Sequence, residues 1–299
     1  MDRVLCLAGP TGAGKTEAAL ALARAVNGAV INFDSRQVYR GILITTAQPT
    51  PEEQASCPHL LYGFLSCRET ISAGTYAAKA ASVVRETLSA GLTPILVGGT
   101  GLYLKALLDG LAPIPDVPPS LRETILTAWR GLGPETMFDR LRAVDPVYAA
   151  KVHPNDCQRV TRALEVYEAT GRPLSEWHKD AVGALNLPYL KIGIRMDKPS
   201  LDVRLARRME TMLQAGALAE VRKVLEACPD PQAPGLTGIG CAELAAHLRG
   251  EIDLTEAKRL WLSHTKAYAK RQMTWFAKDP GIQWFGPDEI SGMIALAAG

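Results

Sequence analysis

The chain has 299 residues, of which 47% are apolar and 21% are charged, and its formal net charge is +2. This composition is typical of a globular protein with a substantial core and argues against intrinsic disorder. A net charge so near zero means that any nucleic-acid surface must come from local clusters of cations. No apolar run approaches ~18 residues, so we expect no membrane span. The six cysteines form no C-x-x-C pair, which favours reduced thiols in a cytoplasmic protein.

Strand and helix patterns alternate in the N-terminal part of the chain. The apolar runs RVLCLAG, GAVINFD and TPILVGGTG predict three buried strands. Alanine-rich stretches predict helices between them, from Glu17 to Val26 and from Thr75 to Ala90. This alternation is typical of an α/β fold, in which helices flank a parallel sheet and ligands bind at the carboxyl ends of the strands.

A proline-rich segment interrupts the alternation. The run APIPDVPPS, residues 112–120, contains four prolines and marks a boundary. The sequence after it is helical to about Lys179, with helix-start signals at Asp145 and Asp156, and a strand pattern returns only at LKIGIRMD. The predicted domains are a helical insertion over residues 114–187 and an α/β core formed by residues 1–113 and 188–299.

Three long helices are predicted after the fourth strand, over Ser200–Ala227, Cys241–Leu248 and Leu254–Ala277. The first of them carries Arg204 and Arg208, whose i,i+4 spacing places both side chains on one face. Such a pair suits a bidentate clamp on a diphosphate. The alternative is an exposed helix on which these arginines pair with Asp202.

The last of these helices is strongly basic. It has six lysines and arginines between Ala257 and Lys278, and no acid. Its aromatic residues recur every seven positions, at Trp261, Tyr268 and Trp275. They lie close to one face, and we expect them to pack in the core. Three cations lie roughly opposite, Arg259, Lys266 and Lys270. We expect these to contact phosphate, the alternative being a solvated face.

The motif GPTGAGKT lies between the first predicted strand and the first predicted helix. It has the form of a phosphate-binding loop, whose backbone N–H groups and helix N-terminus cradle phosphate oxygens. Lys15 supplies a positive charge, and the Thr16 hydroxyl can ligate Mg²⁺. The predicted cradle comprises Gly9, Pro10, Thr11, Gly12, Ala13, Gly14, Lys15 and Thr16.

The acid that usually accompanies this loop is missing. Nucleotide-hydrolysing proteins of this class place an aspartate at a strand end to hold Mg²⁺, but Gly98 and Gly99 stand there. The acid at a strand end is Asp34, after the second strand, and Thr100 supplies a hydroxyl after the third. For either residue, capping a helix is the alternative role. Groups able to hydrogen-bond a base follow the second strand, at Asp34, Ser35, Arg36 and Gln37.

Together these motifs resemble the bacterial tRNA dimethylallyltransferases, also called tRNA isopentenyltransferases. Besides GPTGAGKT, the matching blocks are DSRQVYRG, PILVGGTGLYLKALLDGL, HPNDCQRVTRALEVYEATGRPLS and YAKRQMTWF, which extend from residue 9 to about residue 276. The resemblance implies a core like that of the P-loop kinases, a helical insertion that grips the tRNA anticodon stem-loop, and Mg²⁺. The implied reaction transfers a dimethylallyl group from dimethylallyl diphosphate to N6 of adenosine 37. We expect a monomer.

The resemblance also implies residue roles. Asp34 is the implied general base, which accepts a proton from the target amine, and Thr100 is implied to orient that amine. Arg204 and Arg208 would join the phosphate loop in stabilising the leaving diphosphate. The positions that match tRNA contacts of the family are Arg122, Gln158, Arg159, Val160, Thr161, Arg162, Lys270, Arg271, Gln272, Met273, Thr274, Trp275 and Phe276.

The sequence departs from the family pattern in places. Leu43 replaces an acid and Gln48 a lysine in the block ILITTAQP. Cys241 and Ala242 replace a tyrosine and a basic residue, and lysines stand at 198 and 266 where arginine is usual. A lysine lacks the planar bidentate donor of arginine, so these changes bear on individual tRNA contacts.

Three other functions share some of these features. A small-molecule or nucleotide kinase would have the same loop and fold, but it needs the acid that is missing at Gly98 and Gly99. A prenyltransferase acting on free AMP or ATP would not need the helical insertion or the basic helix. A non-enzymatic RNA-binding protein would leave the intact loop and Asp34 without a use.

Overall fold

The computed structural model describes residues 3–299, which form two compact units. Residues 3–107 and 185–299 make up the first unit, and residues 108–184 make up the second. The second unit begins and ends slightly before the predicted insertion. Its entry and exit are tied together by an antiparallel bridge between Leu111 and Val182. Leu185 N already donates to Leu107 O in the first unit, at 3.0 Å.

A six-stranded parallel sheet lies at the centre of the first unit, in the order β3-β2-β4-β1-β5-β6. The strands are β1 Val4–Ala8, β2 Gly28–Asn32, β3 His59–Leu60, β4 Thr93–Gly98, β5 Tyr189–Ile194 and β6 Ile282–Phe285. The predicted parallel sheet and its four long strands are confirmed. The two edge strands β3 and β6 were not predicted, because each is too short to show a pattern.

The central strands bring three loops to one edge of the sheet. All five residues of β1 and of β2 are buried, which explains their unbroken apolar runs. β4 pairs with β1 on one side and with β2 on the other. Because all three are parallel, the segments that follow Ala8, Asn32 and Gly98 meet at their carboxyl ends.

Helices flank the sheet and form the second unit. Those within the described residues are α1 Lys15–Val26, α2 Leu43–Thr46, α3 Pro51–Ser56, α4 Ala73–Ser89, α5 Gly101–Leu108, α6 Pro119–Val144, α7 Pro146–Ala149, α8 Cys157–Thr170, α9 Leu174–Trp177, α10 Lys198–Gln214, α11 Ala217–Ala227, α12 Cys241–Leu248, α13 Leu254–Phe276 and α14 Ile290–Ala298. A 3₁₀ turn, His178–Asp180, follows α9. None of these helices is both long and apolar enough to cross a membrane.

One predicted helix is wrong. The pattern over Ser200–Ala227 indicated a single helix, but the structure has α10 and α11, separated at Gly216. Gly216 has φ of 102°, a left-handed conformation that glycine adopts at little cost and that ends a helix. The break gives α11 a direction of its own, and α11 carries Glu220 to the N-terminus of α2 (below).

The second unit is helical, as its sequence indicates. α6 is interrupted at Gly133, whose φ and ψ are not helical, and Pro134 follows. The predicted helix starts are confirmed, since the Asp145 carboxylate accepts from Tyr148 N at 2.9 Å and that of Asp156 from Arg159 N at 3.1 Å. The core of this unit lies between α6 and α8 and includes buried Met137, Leu141, Val160 and Leu164.

Candidate active site

The loop Gly9–Thr16 joins β1 to α1 and has the geometry of a phosphate cradle. Gly14 caps α1 with φ of 97°, so the chain turns sharply and the first amides of the helix point into the loop. Ala13 N donates to Pro10 O at 3.2 Å, which closes the turn. Thr16, in the first turn of α1, is exposed and lines the adjacent cavity.

Lys15 folds back over this loop. Its Nζ donates to the carbonyl oxygens of Gly9 at 2.9 Å and of Pro10 at 2.8 Å. Burial lowers the pKa of Lys15 to about 8, while nearby Asp34 opposes the change and Arg208 adds to it. The ammonium is therefore held at the cradle with its charge only partly compensated, which suits the binding of an anion.

The position of the missing acid is filled from α13. Gln272 Nε2 donates to Gly99 O at 3.0 Å, and Gln272 Oε1 accepts from Thr11 N at 2.8 Å. A Cβ added at Gly99 would lie 1.9 Å from Gln272 Nε2, and one at Gly101 would lie 2.0 Å from Trp275 Nε1. Glycine is thus required at positions 99 and 101 by two side chains of α13. Thr11 N is already occupied by an acceptor within the protein.

Asp34 follows β2 at the same edge. Asn32 holds its backbone, accepting from Asp34 N at 2.8 Å and donating to Asp34 O at 3.1 Å. Asp34 Oδ1 accepts from Arg36 N at 2.8 Å. The chain then continues in turns as far as α2, so the alternative that Asp34 caps a helix is wrong. Asp34 Oδ2 lies on the side of Gly99, where an added Cβ would be 3.6 Å from it.

Thr100 lies beside this carboxylate and is hydrogen-bonded to Ser35, the residue that follows Asp34. Thr100 Oγ1 accepts from Ser35 N at 2.9 Å and donates to Ser35 Oγ at 3.2 Å. Through these two hydrogen bonds, the Thr100 hydroxyl joins the segment that follows β4 to the segment that follows β2. Asp34 and Thr100, predicted together from separate motifs, are thus brought together by the fold.

The arginines of α10 approach the phosphate loop from its open side. A Cβ at Gly14 would lie 3.4 Å from Arg204 Nη2, and Arg208 lines the cavities on both sides of Asp34. Burial lowers the pKa of Arg208, with Asp34 acting against this and Arg204 adding to it. Asp202, the alternative partner of these arginines, pairs with Lys266 at 3.2 Å.

Two adjacent cavities share Asp34 in their linings. The larger, about 910 Å³, contains the phosphate loop and both arginines of α10. The smaller, about 360 Å³, is lined by apolar side chains of α10 and α13 together with polar groups that follow β2. Both cavities are lined by Thr11, Asp34, Thr46 and Arg208. A ligand bound at the phosphate loop therefore lies next to the smaller cavity, in which the lining side chains of α10 include Leu205, Met209 and Met212.

Several groups of the site were not predicted. Tyr268, which its spacing led us to expect in the core, lines the smaller cavity instead. Burial raises its pKa, while hydrogen bonds with Thr100 and Gln272 act against the increase. It lies one helical turn before Gln272, so helical spacing could have located it. The carboxylate of Glu220 accepts from the backbone N of Ile44 and Thr45, at 2.7 and 2.8 Å, and so fixes the start of α2. No sequence signal connects α11 to α2.

The basic helix differs from expectation in two respects. Trp261 is buried at 4% exposure, as expected, but Trp275 is 41% exposed, so its assignment to the core is wrong. Arg259 pairs with Glu256 at 2.6 Å and Lys266 pairs with Asp202. The partners of these two cations are thus acids outside the acid-free stretch, one in the preceding turn of α13 and one in α10. Lys270 is exposed.

The positions that match tRNA contacts divide by burial. Arg122, Gln158, Arg159, Lys270, Arg271, Thr274 and Trp275 are accessible, whereas Val160, Thr161, Gln272 and Phe276 are buried. The buried side chains pack inside the protein, and for these positions the tRNA contact stays a prediction. Met273 and Arg162 are partly buried, and Arg162 pairs with Glu165 at 3.2 Å.

The departures from the family pattern divide between buried and exposed positions. Gln48 is buried and donates to Tyr39 O at 2.8 Å. Cys241 is fully buried, and burial raises the pKa of its thiol to about 12. Gln37 is not one of these departures but one of the groups predicted to hydrogen-bond a base. Its side-chain amide donates to Ala47 O, just after α2, at 2.6 Å. Leu43, at 46% exposure, Ala242 and Lys198 present altered side chains to solvent, and Lys266 is partly exposed.

Comparisons with known proteins agree with this geometry. The model of the family described as IPP transferase matches residues 37–279. A tRNA dimethylallyltransferase from Nitratidesulfovibrio vulgaris (strain DSM 19637 / Miyazaki F) is 52% identical over 310 residues, covering 99% of this chain and 92% of the relative. The crystal structure of full-length tRNA isopentenylpyrophosphate transferase from Bacillus halodurans is 31% identical with a TM-score of 0.72, covering 100% and 96%. A eukaryotic dimethylallyltransferase acting on tRNA is 28% identical with a TM-score of 0.82, covering 97% and 75%.

The lowered pKa of Lys15 predicts the pH dependence of anion binding. Only the protonated amine attracts an anion, so affinity for inorganic diphosphate should be full below the pKa of about 8 and fall as the pH rises through it. We expect about a tenfold loss between pH 7 and pH 9, measured by isothermal titration calorimetry. In Lys15→Arg the guanidinium stays charged between pH 7 and pH 9. The part of the pH dependence of affinity that comes from residue 15 should therefore disappear. Equal slopes in both proteins would contradict the assignment.

The two hydrogen bonds of the Gln272 side-chain amide predict that removing this amide weakens anion binding at the phosphate loop. Gln272→Leu keeps much of the side-chain volume but leaves Thr11 N and Gly99 O without their partners. We expect affinity for inorganic diphosphate to fall by about tenfold, because the loop is no longer held. Gln283→Leu, at an exposed position of β6, is the matched control. An unchanged affinity in Gln272→Leu would show that the loop holds its shape alone.

Proposed function

This chain belongs to the IPP transferase family, and we propose that it transfers a dimethylallyl group from dimethylallyl diphosphate to N6 of adenosine 37 in tRNA. In this reaction a bond forms between the amine nitrogen and C1 of the dimethylallyl group. The bond between C1 and the diphosphate oxygen breaks, diphosphate leaves with the bonding electrons, and the amine loses one proton. The observation that carries the proposal is the Asp34 carboxylate in the lining shared by the cavity at the phosphate loop and a second cavity with an apolar wall.

The leaving diphosphate gathers negative charge, and the larger cavity offers positive groups for it. The amides at the start of α1, the Lys15 ammonium and the guanidinium groups of Arg204 and Arg208 all line it. Donors fixed before the reaction stabilise developing charge without reorganising. Because Gln272 already uses Thr11 N, we assign the backbone part of this cradle to residues 12–16.

The amine needs a base. N6 of adenine is a weak nucleophile, since its lone pair is delocalised into the ring, and a carboxylate that takes its proton as the bond forms contributes typically ~10²–10⁴-fold. We assign this role to Asp34, whose backbone is fixed by Asn32 and whose Oδ1 accepts from Arg36 N. Thr100, held by Ser35, is placed to orient the amine. The target base must leave its stack to reach this site.

Magnesium fits this arrangement as a partner of the donor. No group of three His, Cys, Asp or Glu side chains within residues 3–299 could hold a metal by itself. Mg²⁺ is commonly bound through substrate phosphates and few protein oxygens, and we propose that the Thr16 hydroxyl supplies such a ligand. When bound, the ion neutralises charge on the diphosphate.

For tRNA we propose contacts by the accessible cations of both units. The second unit offers Arg122 and Arg159, and α13 offers Lys270 and Arg271. Phosphate contacts of this kind position the anticodon stem-loop, and each makes binding more sensitive to salt. A single chain carries all the groups assigned here, so we propose that the monomer is active.

The decisive experiment is a transfer assay. Radiolabelled dimethylallyl diphosphate and Mg²⁺ should transfer label to unmodified tRNA with adenosines at positions 36 and 37, and an excess of ATP should not support or replace the reaction. Phosphorylation of a small molecule by ATP without prenyl transfer would refute the proposal and favour a kinase.

The base assignment predicts a specific defect. Asp34→Asn should lower kcat for prenyl transfer by about 10²–10⁴-fold, with little change in the Kd for tRNA, because it removes the proton acceptor and keeps the shape. Asp288→Asn, at an exposed position, is the control and should be active. If Asp34→Asn chiefly weakens tRNA binding and leaves kcat unchanged, Asp34 is a binding residue and not the base.

A further inference from the structure

Helix α10 carries a set of cationic side chains and a set of apolar side chains, and the first member of each set lies at the phosphate loop. Arg204 approaches Gly14, and Leu205 approaches Gly12, where an added Cβ would lie 2.7 Å from Leu205 Cδ2. Arg208 continues the cationic set one turn later, and Met209 and Met212 continue the apolar set, at helical spacing from Leu205. One helix therefore presents Arg204 to the larger cavity and an apolar face to the smaller one, and Arg208 lines both.

The apolar face of α10 forms one wall of the smaller cavity. Leu205, Met209 and Met212 line it from α10, and Trp261 and Leu262 line it from α13. Because this cavity shares Asp34 and Arg208 with the larger one, it begins where the diphosphate head of a donor would end. The tail of an amphiphilic donor, with an anionic head in the larger cavity, would thus lie against this wall.

The wall is backed by the hydrophobic core. Met209 and Trp261 are 7% and 4% exposed and belong to the same core cluster as Cys241 and Leu244. A Cβ at Gly240 would lie 2.7 Å from Trp261 Cε2, so the indole is packed directly against the loop before α12. Cores are close-packed, and such a wall does not recede to admit a longer tail without a cost in packing.

We propose that Met209 and Met212 limit the allylic donor to one isoprene unit. This proposal rests on the proposed function, since it concerns the donor of that reaction. Along α10, Met209 lies ~6 Å and Met212 ~10 Å beyond Leu205. A five-carbon tail is covered by Leu205 and the near side of Met209, whereas a ten-carbon tail requires the space that both methionine side chains fill. The polar groups that line the cavity, Asp34, Ser35 and Tyr268, are left for the base that receives the group.

The test compares two donors in the transfer assay, dimethylallyl diphosphate and geranyl diphosphate. For Met209→Ala and for Met212→Ala, we expect the ratio of kcat/KM for the geranyl donor to that for the dimethylallyl donor to rise by about tenfold or more. Contacts of one methylene in an apolar pocket are worth about 10- to 200-fold in specificity. Met293→Ala, fully buried in the core beside α1 and lining neither cavity, controls for lost stability and should keep the wild-type ratio.

The outcomes separate this proposal from the proposed function. A wild-type enzyme that transfers no allylic group to tRNA refutes the proposed function and this proposal with it. A wild-type enzyme that uses both donors equally well overturns the length limit alone, as does an unchanged ratio in the folded methionine variants. Met212 is only partly buried, so Met212→Ala gives a result even if Met209→Ala fails to fold. Melting temperatures of all three variants establish which of them are folded.

Discussion

The side-chain amide of Gln272 is the contact on which this site depends. It spans the gap between Thr11 N and Gly99 O, so that one residue of α13 fixes both the phosphate loop and the end of β4. The glycines at 99 and 101 follow from it, because any Cβ there would overlap Gln272 or Trp275. In a P-loop enzyme that hydrolyses nucleotides, this region holds a metal-binding acid. Here an uncharged amide connects the carboxyl ends of the strands, where Asp34 lies, to the most basic helix in the described part of the chain.

Near the Gln272 side chain, charged groups and apolar side chains line two adjacent cavities. Lys15 and Arg208 are partly withdrawn from water, and both have a lowered pKa, so an incoming anion would restore the favourable surroundings that burial removed. Asp34 lies next to both cations, where their charges and its own favour one another. Next to it, several side chains of α10 that line the smaller cavity are apolar. A molecule with a diphosphate head and a short hydrocarbon tail matches this order of environments from one end to the other.

The sequence predicted those parts of the site that rest on local patterns. The phosphate loop, Asp34 and Thr100 lie at the ends of strands whose unbroken apolar runs are easily read, and parallel pairing then brings them together. Other parts left no local trace. The two-residue strand β3 has no periodicity, Gly216 reads as one tolerated glycine in a helix, and the acids that pair with Arg259 and Lys266 come from outside the basic stretch. Exposure also escaped prediction, since Trp261 and Trp275 share a spacing but differ in burial.

The amino-acid sequence by itself determined the parallel α/β core, the helical insertion and the chemical groups of the catalytic edge, because strand periodicity and the loop motif depend only on neighbouring residues. Tertiary structure alone decided how those groups are used. It placed Gln272 where the missing acid would lie, set Glu220 at the start of α2, and put two methionines of α10 behind the space next to Asp34. These contacts join residues far apart in the chain, and their distances arise only when the packed helices close over the sheet.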